Sequence, residues 1–142
     1  MIVFYISSST IPSRRANTIH VINMCRALTY LGYKTTLFIR SDSKNIKKII
    51  LDTYNFKSDL FSTNVTSPIF HRGTELYIAI KAFYKFFFLS KSEKNSSYII
   101  SRNLFAAFFL SLFFKKKLIY ETHIPEIHII RKLIQKFLLK KN

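Results

Sequence analysis

The fold is decided by residues 1–39, MIVFYISSSTIPSRRANTIHVINMCRALTYLGYKTTLFI. The apolar, β-branched and aromatic run Ile2–Ile6 predicts a strand that is buried on both faces. The polar run 7–17, which contains Pro12, predicts a loop in which no strand continues. A helix and a second buried strand, Leu37–Ile39, follow. This order predicts a right-handed parallel crossover, with a ligand cleft at the carboxyl ends of its strands.

The helix of this unit has recognisable ends and one apolar face. Asn17 or Thr18 can cap its start through a side-chain oxygen. Val21 and Cys25 lie one turn apart on the apolar face, and Gly32 stands where a left-handed C-terminal cap is expected. Cys25 is the single cysteine of the chain, so no disulfide can form within it. This composition fits a reducing compartment.

The rest of the chain continues the alternation of strands and helices. Strands are predicted at 64–67, 98–100 and 118–120, and helices within 46–61 and at 74–89, 104–114 and 127–139. The polar segment 91–97 is typical of a surface loop. Residues 1–142 suffice for one core but not for two domains of similar size. We therefore predict an α/β fold, a single domain with an open parallel Rossmann-like sheet and helices on both faces.

The chain is strongly basic. Its 23 Lys and Arg against 7 Asp and Glu give a formal net charge of +16. Such an excess favours an anionic partner: nucleic acid, an anionic lipid surface or a phosphorylated substrate. Part of it follows from a composition rich in Lys, Ile, Asn and Phe. Nucleic acid is not expected as a partner, because the aromatic residues lie at helical spacings that packing explains.

No segment predicts a membrane span or a secretory leader. Residues 1–6 lack a basic leader and are too short for its apolar region. The apolar segment 104–114 has only about half the length that a membrane helix needs. We expect a cytoplasmic protein, with peripheral association at the inner face of the membrane.

Two predicted helices carry surfaces that bear on this association. Segment 74–89 has an apolar stripe formed by Leu76, Ile80, Phe83 and Phe87 and widened by Tyr77, Tyr84 and Phe88. The stripe indicates core packing; the alternative is a membrane-contacting face, with Lys81 and Lys85 reaching the headgroups. Segment 127–139 is a basic amphipathic helix, which can lie on an anionic membrane.

Three sequence segments resemble the amino-terminal half of GT4-type glycosyltransferases, which are retaining enzymes of the two-domain GT-B fold. The first is IPSRRANTIHV, residues 11–21, which leads into a helix that ends at Leu-Gly. The others are YIISRNLFAA, residues 98–107, and YETH, residues 120–123. The chain departs from the family pattern at Ser97, where an aspartate is usual.

The resemblance implies the acceptor-side half of a sugar-nucleotide-dependent glycosyltransferase. Cell-surface polysaccharide or lipid-linked glycan synthesis is the implied setting. The family's donor-binding carboxylate pair, spaced E-x7-E, belongs to the second half and is absent here. We therefore expect a fragment or split subunit that binds a sugar acceptor, that binds a sugar nucleotide only with a second domain or chain, and that uses no cofactor.

The predicted topology and the resemblance place several polar residues at one cleft. Guanidinium and carboxamide groups suit phosphates and sugar hydroxyls. The candidate substrate-binding residues are Ser13, Arg14, Asn17, His20, Arg102, Asn103, Glu121 and His123. The resemblance implies that His123 faces the donor sugar; the alternative is a core histidine. No residue is assigned a catalytic role.

Other site chemistries fit the sequence less well. Glu121, His123, Glu126 and His128 lack zinc-motif spacing, and Pro125 interrupts any helix through them, so no metal site is predicted. The first loop has no glycine, which argues against a dinucleotide cofactor. The alternative function is a non-catalytic basic α/β module that binds a membrane surface or a protein partner.

Overall fold

The computed structural model describes residues 1–43, 45–55, 61–66, 74–114, 117–122 and 125–141. The strands in these ranges are β1 (Ile2–Ile11), β2 (Lys34–Ser41), β3 (Ser62–Thr66), β4 (Ser97–Ser101) and β5 (Leu118–Tyr120). The helices are α1 (Ala16–Tyr30), α2 (Ile46–Tyr54), α3 (Thr74–Phe87), α4 (Lys91–Asn95), α5 (Leu104–Phe113) and α6 (Ile129–Lys141). The strands form one parallel sheet in the order β3-β2-β1-β4-β5.

This architecture confirms the predicted α/β fold with helices on both faces of an open parallel sheet. Successive side chains of β1 alternate between two cores, as the strand period requires. Tyr5 packs with α1 and α2 in one core, whereas Phe4 and Ile6 pack with α3, α5 and α6 in the other. All three are at most 3% exposed, so the central strand is buried on both faces, as a parallel sheet between helix layers demands.

The first strand is longer than the sequence predicts. β1 runs through Ser7 to Ile11, where a loop was predicted. Its pairing with β2 shifts register between Ile6 and Thr10, and Ile11 is fully buried. The loop prediction was wrong for two reasons. Ser7 Oγ donates a hydrogen bond to Ser9 Oγ and accepts one from Ser9 N, so these polar groups are paired within the strand. Ile11 packs in the core and holds the end of the strand there.

The start of α1 also differs from the prediction, whereas its end agrees with it. Arg15 is the N-cap residue, and no side chain among the described residues caps the helix. Asn17 and Thr18 therefore lie inside the first turn and are not caps. At the other end Gly32 has a φ of 84°. Its N–H donates to Thr29 O and the next N–H, of Tyr33, donates to Leu28 O, which is a Schellman motif.

Segment 91–97, predicted as a surface loop, contains the short helix α4. Ser90 and Glu93 form a capping box, in which each side chain accepts a hydrogen bond from the other residue's backbone N–H. This arrangement satisfies two backbone donors at the helix start. The loop prediction was wrong, because the pattern S-x-x-E at Ser90–Glu93 is typical of a helix start.

The apolar stripe predicted to be the core face of α3 lies mainly on the outside. Leu76, Ile80 and Phe87 are 41%, 41% and 49% exposed, and Phe83 is partly buried. The buried face contains Ile78, Ala79, Ala82 and Phe86, beginning at Thr74. Small residues at the contact allow the helix to approach the sheet closely, which the bulky stripe would prevent. Within the described ranges, no helix is long and apolar enough to cross a bilayer.

Candidate substrate-binding cleft

A cavity of about 980 Å³ opens at the carboxyl edge of the sheet. Its walls come from the end of β1, the start of α1, the loop after β4, the segment after β5 and the first turns of α3 and α6. Parallel strands bring their carboxyl ends to the same edge, which is where open α/β sheets bind ligands. The position of the cleft is therefore a consequence of the topology.

Glu121 is the centre of the polar network in this cleft. The hydroxyl of Tyr5 donates to its Oε2 at 2.8 Å. The other carboxylate oxygen lies 3.0 Å from His20 Nε2 and 3.7 Å from Arg102 Nε. Burial, together with the hydrogen bond to the carboxylate, raises the pKa of Tyr5 above its usual range, so the phenol remains a donor. Four elements, β1, α1, the β4–α5 loop and the end of β5, thereby meet at one carboxylate.

Arg102 carries a hydrogen-bonding group that the described part of the chain does not satisfy. Its backbone N–H donates to Ile6 O at 2.8 Å, which fixes the residue against β1. The side chain is 9% exposed, and the buried Nη1 atom has no hydrogen-bond partner among the described residues. Since buried donors are nearly always paired, a ligand oxygen is a fitting partner for this guanidinium.

Short hydrogen bonds fix the side of the cleft formed by the end of β1 and the segment that follows it. Ser9 Oγ accepts from Asn17 Nδ2 and from Ser7 Oγ, both at 3.0 Å. Ser13 N donates to the hydroxyl of Tyr54, and this hydroxyl donates back to Ser13 O at 2.7 Å. The end of β1 and the segment that follows it are thus tied to α1 and α2, and their hydroxyl groups line the cleft at fixed positions.

The opposite wall is built around Arg131. Its Nε and Nη2 donate to the two oxygens of Glu126, each at 2.8 Å, and its Nη1 donates to Glu75 at the same distance. The guanidinium holds the pKa of the Glu126 carboxyl below its usual range, and the carboxylates raise that of Arg131. The hydrogen bond to Glu75 joins the first turn of α6 to the first turn of α3. Because its guanidinium is bound to two carboxylates, Arg131 is not free for the membrane contact that was predicted for the basic helix.

The predicted site residues divide into four groups. Those that line the cavity are Ser13, Asn17, His20, Arg102 and Glu121. Arg14 is exposed and is not among the residues described as lining the cavity. Asn103 is fully buried: its Oδ1 accepts from Ala106 N at 3.0 Å and its Nδ2 donates to Glu75 O at 2.9 Å. Its side chain therefore caps α5. His123 lies outside the described residues.

Sequence reasoning missed several residues of the cleft. Tyr5 belongs to an apolar strand whose pattern conceals its hydroxyl. Arg40 lines the cavity and donates from Nε to Thr10 Oγ1 at 2.9 Å. The Glu75–Arg131 contact joins residues 56 positions apart, which no local pattern reveals. A single tyrosine hydroxyl within the otherwise apolar run Ile2–Ile6 was the available sequence signal for Tyr5.

The cleft can bind a ligand that is rich in hydroxyl groups or carries a phosphate. Its lining combines carboxylate, guanidinium, hydroxyl and amide groups, which are the partners that such ligands use. Within the described residues, no group of three or more His, Cys, Asp or Glu side chains is placed to hold a metal ion. Comparisons with family models, with curated proteins and with solved structures found no match to this chain.

Proposed function

We propose that this chain is the acceptor-side half of a sugar-nucleotide-dependent glycosyltransferase of the GT4 type. A second domain or chain supplies the donor-binding half, and the acceptor belongs to cell-surface polysaccharide or lipid-linked glycan synthesis. In the reaction, the bond between the anomeric carbon and the leaving phosphate breaks. The acceptor hydroxyl forms the new glycosidic bond and loses its proton, and nucleoside diphosphate is released.

The observation that carries this proposal is the buried Nη1 of Arg102, which lacks a hydrogen-bond partner among the described residues and belongs to a residue that lines the cleft. A sugar phosphate offers the oxygen acceptors that this donor requires. Ser13, Asn17 and Glu121 supply further partners for sugar hydroxyls around the same cavity. The geometry therefore fits a substrate that is both phosphorylated and polyhydroxylated.

Ligand binding by matched arginine variants tests the proposal. Calorimetric titration of the purified chain with a sugar 1-phosphate, with the same sugar and with inorganic phosphate measures the separate contributions of sugar and phosphate. We expect Arg102→Met to weaken sugar-phosphate binding about tenfold, because one charge-assisted hydrogen bond contributes about 1.5–3 kcal/mol. Arg14→Met is the matched control, since Arg14 is exposed outside the cavity lining. Equal affinities for the two variants would contradict the assignment.

The requirement for a second domain or chain has its own test. We expect the purified chain alone to release no nucleoside diphosphate from a sugar nucleotide, even with an acceptor present, because the reaction centre of a two-domain enzyme lies between its domains. Turnover by the isolated chain, free of host transferases, would refute the requirement for a second half. It would leave the binding role of Arg102 intact.

A further inference from the structure

An aromatic patch of four residues lies on the outer face of the α3–α5 layer. It consists of Tyr84 and Phe87 in the last turn of α3, Phe88 directly after that helix, and Phe113 at the end of α5. Their exposed fractions are 59%, 49%, 75% and 60%. Tyr84 stacks on Phe88 with ring centroids 5.9 Å apart, and Phe87 meets Phe88 edge-on at 5.6 Å. Phe83 contacts both Phe87 and Phe113, at 5.7 and 5.2 Å, and so connects the two helices.

This patch is separate from the substrate cleft. α3 begins at the cleft, where Glu75 contacts Arg131, and runs back towards the amino edge of the sheet. At a rise of about 1.5 Å per residue, Phe87 at the end of α3 lies roughly 18 Å along the helix from Glu75. The buried face of α3 is the opposite one, which includes Ala82 and Phe86. The exposed rings therefore serve neither the core nor the cleft.

Lysine residues accompany the aromatic patch. Lys94 Nζ lies 5.2 Å from the centroid of the Phe87 ring, and Lys85 and Lys91, which are near the patch residues in sequence, are exposed. Glu93 is close by, but its carboxylate already accepts hydrogen bonds from Ser90 N and Oγ. Exposed rings bordered by cations are typical of surfaces that enter the interfacial region of a bilayer.

We propose that the aromatic patch docks on an anionic phospholipid bilayer, with α3 lying parallel to the membrane plane. The rings enter the headgroup region, and the lysines contact lipid phosphates. The formal net charge of +16 favours an anionic bilayer as the partner of the aromatic patch. A second copy of a chain with this charge is repelled, whereas an anionic leaflet attracts it. The inference rests on the exposed rings and does not depend on the proposed glycosyltransferase function.

The absence of tryptophan from the chain gives a direct test. Phe88→Trp introduces a single fluorophore into the aromatic patch. Leu31→Trp is the control, since Leu31 is 72% exposed at the end of α1 in the opposite helix layer. With vesicles of phosphatidylcholine and phosphatidylglycerol, we expect the Phe88→Trp emission to shift to the blue and to be quenched by brominated lipid. The control should show neither change.

A second pair of variants measures the contribution of the rings to binding. Tyr84→Ser with Phe88→Ser should partition about tenfold more weakly into these vesicles, because two partly inserted rings lose their apolar burial. The control, Tyr30→Ser with Leu31→Ser, removes residues that are 65% and 72% exposed and should change partitioning less than about twofold. Circular dichroism melts establish that both variants are folded.

Several outcomes overturn the proposal. Equal spectral changes in the two tryptophan variants, or no change in either, exclude docking through the aromatic patch. Equal partitioning of the native chain into vesicles of phosphatidylcholine alone excludes the preference for anionic lipid, as does binding that does not fall with added salt. A blue shift of Phe88→Trp that grows with protein concentration in the absence of vesicles identifies a second copy as the occupant.

Discussion

Replacing Tyr5 with phenylalanine removes a single oxygen atom from the centre of the cleft network. Tyr5 is fully buried, and the smaller side chain leaves the packing of the ring unchanged. The lost interaction is the 2.8 Å hydrogen bond to Glu121 Oε2. Hydrogen bonds to charged groups contribute about 1.5–3 kcal/mol. Because the Glu121 side chain is 22% exposed, water can replace the donor, and we expect the lower end, about 1.5 kcal/mol.

Urea unfolding followed by circular dichroism measures this loss, and a thermal melt should show a decrease of roughly 5 °C. Tyr98→Phe is the matched control, because Tyr98 lies on the neighbouring strand β4 and is 42% exposed. Its free energy of unfolding should change by less than about 0.5 kcal/mol. If the two variants are equally stable, the Tyr5 hydroxyl does not stabilise the folded chain through Glu121, and the network described here is wrong.

Three further substitutions test separate parts of the fold by the free energy of unfolding. Gly32→Ala should cost about 1 kcal/mol, because the φ of 84° is strained for any L side chain; unchanged stability would contradict that conformation. Asn103→Ala should cost about 2–3 kcal/mol, since it removes a cap and a second buried hydrogen bond; a loss below 0.5 kcal/mol (about the size of a surface substitution) would argue against both contacts. Burial raises the pKa of the Cys25 thiol, so only the unfolded chain releases that proton. Stability should fall by about 1.4 kcal/mol per pH unit above pH ~8.5, and Cys25→Ala should abolish that part of the decline.

The regular elements were predictable wherever local chemistry determines them. β5 occupies Leu118–Tyr120, the residues predicted from a short apolar run, and Gly32 ends α1 because no other residue adopts its backbone angles as readily. The face of α3 was not predictable from periodicity. Both of its faces are apolar, and the choice depends on which one approaches the sheet more closely, where Ala79 and Ala82 fit.

The cleft was predictable only in part, for physical reasons that differ between residues. The parallel topology brings Asn17, Arg102 and Glu121 to one edge, and this follows from strand order. Asn103 lies in the same loop as Arg102, but its side chain caps α5 and donates a hydrogen bond to the backbone of α3. A polar residue at the end of a strand can serve either purpose, and only the three-dimensional neighbours decide between them. Arg131 illustrates the same limit, since its partner Glu75 is distant in sequence.

The buried thiol of Cys25 makes this chain well suited to site-specific labelling. It is the single cysteine of the sequence and is fully buried, and its raised pKa suppresses the reactive thiolate. A maleimide probe should therefore react with an introduced surface cysteine and leave the native one untouched. Pairs of spin labels or fluorophores can thus be placed at the cleft and on the helix layers without first removing a native residue, and distances between the labels can be measured in the native background.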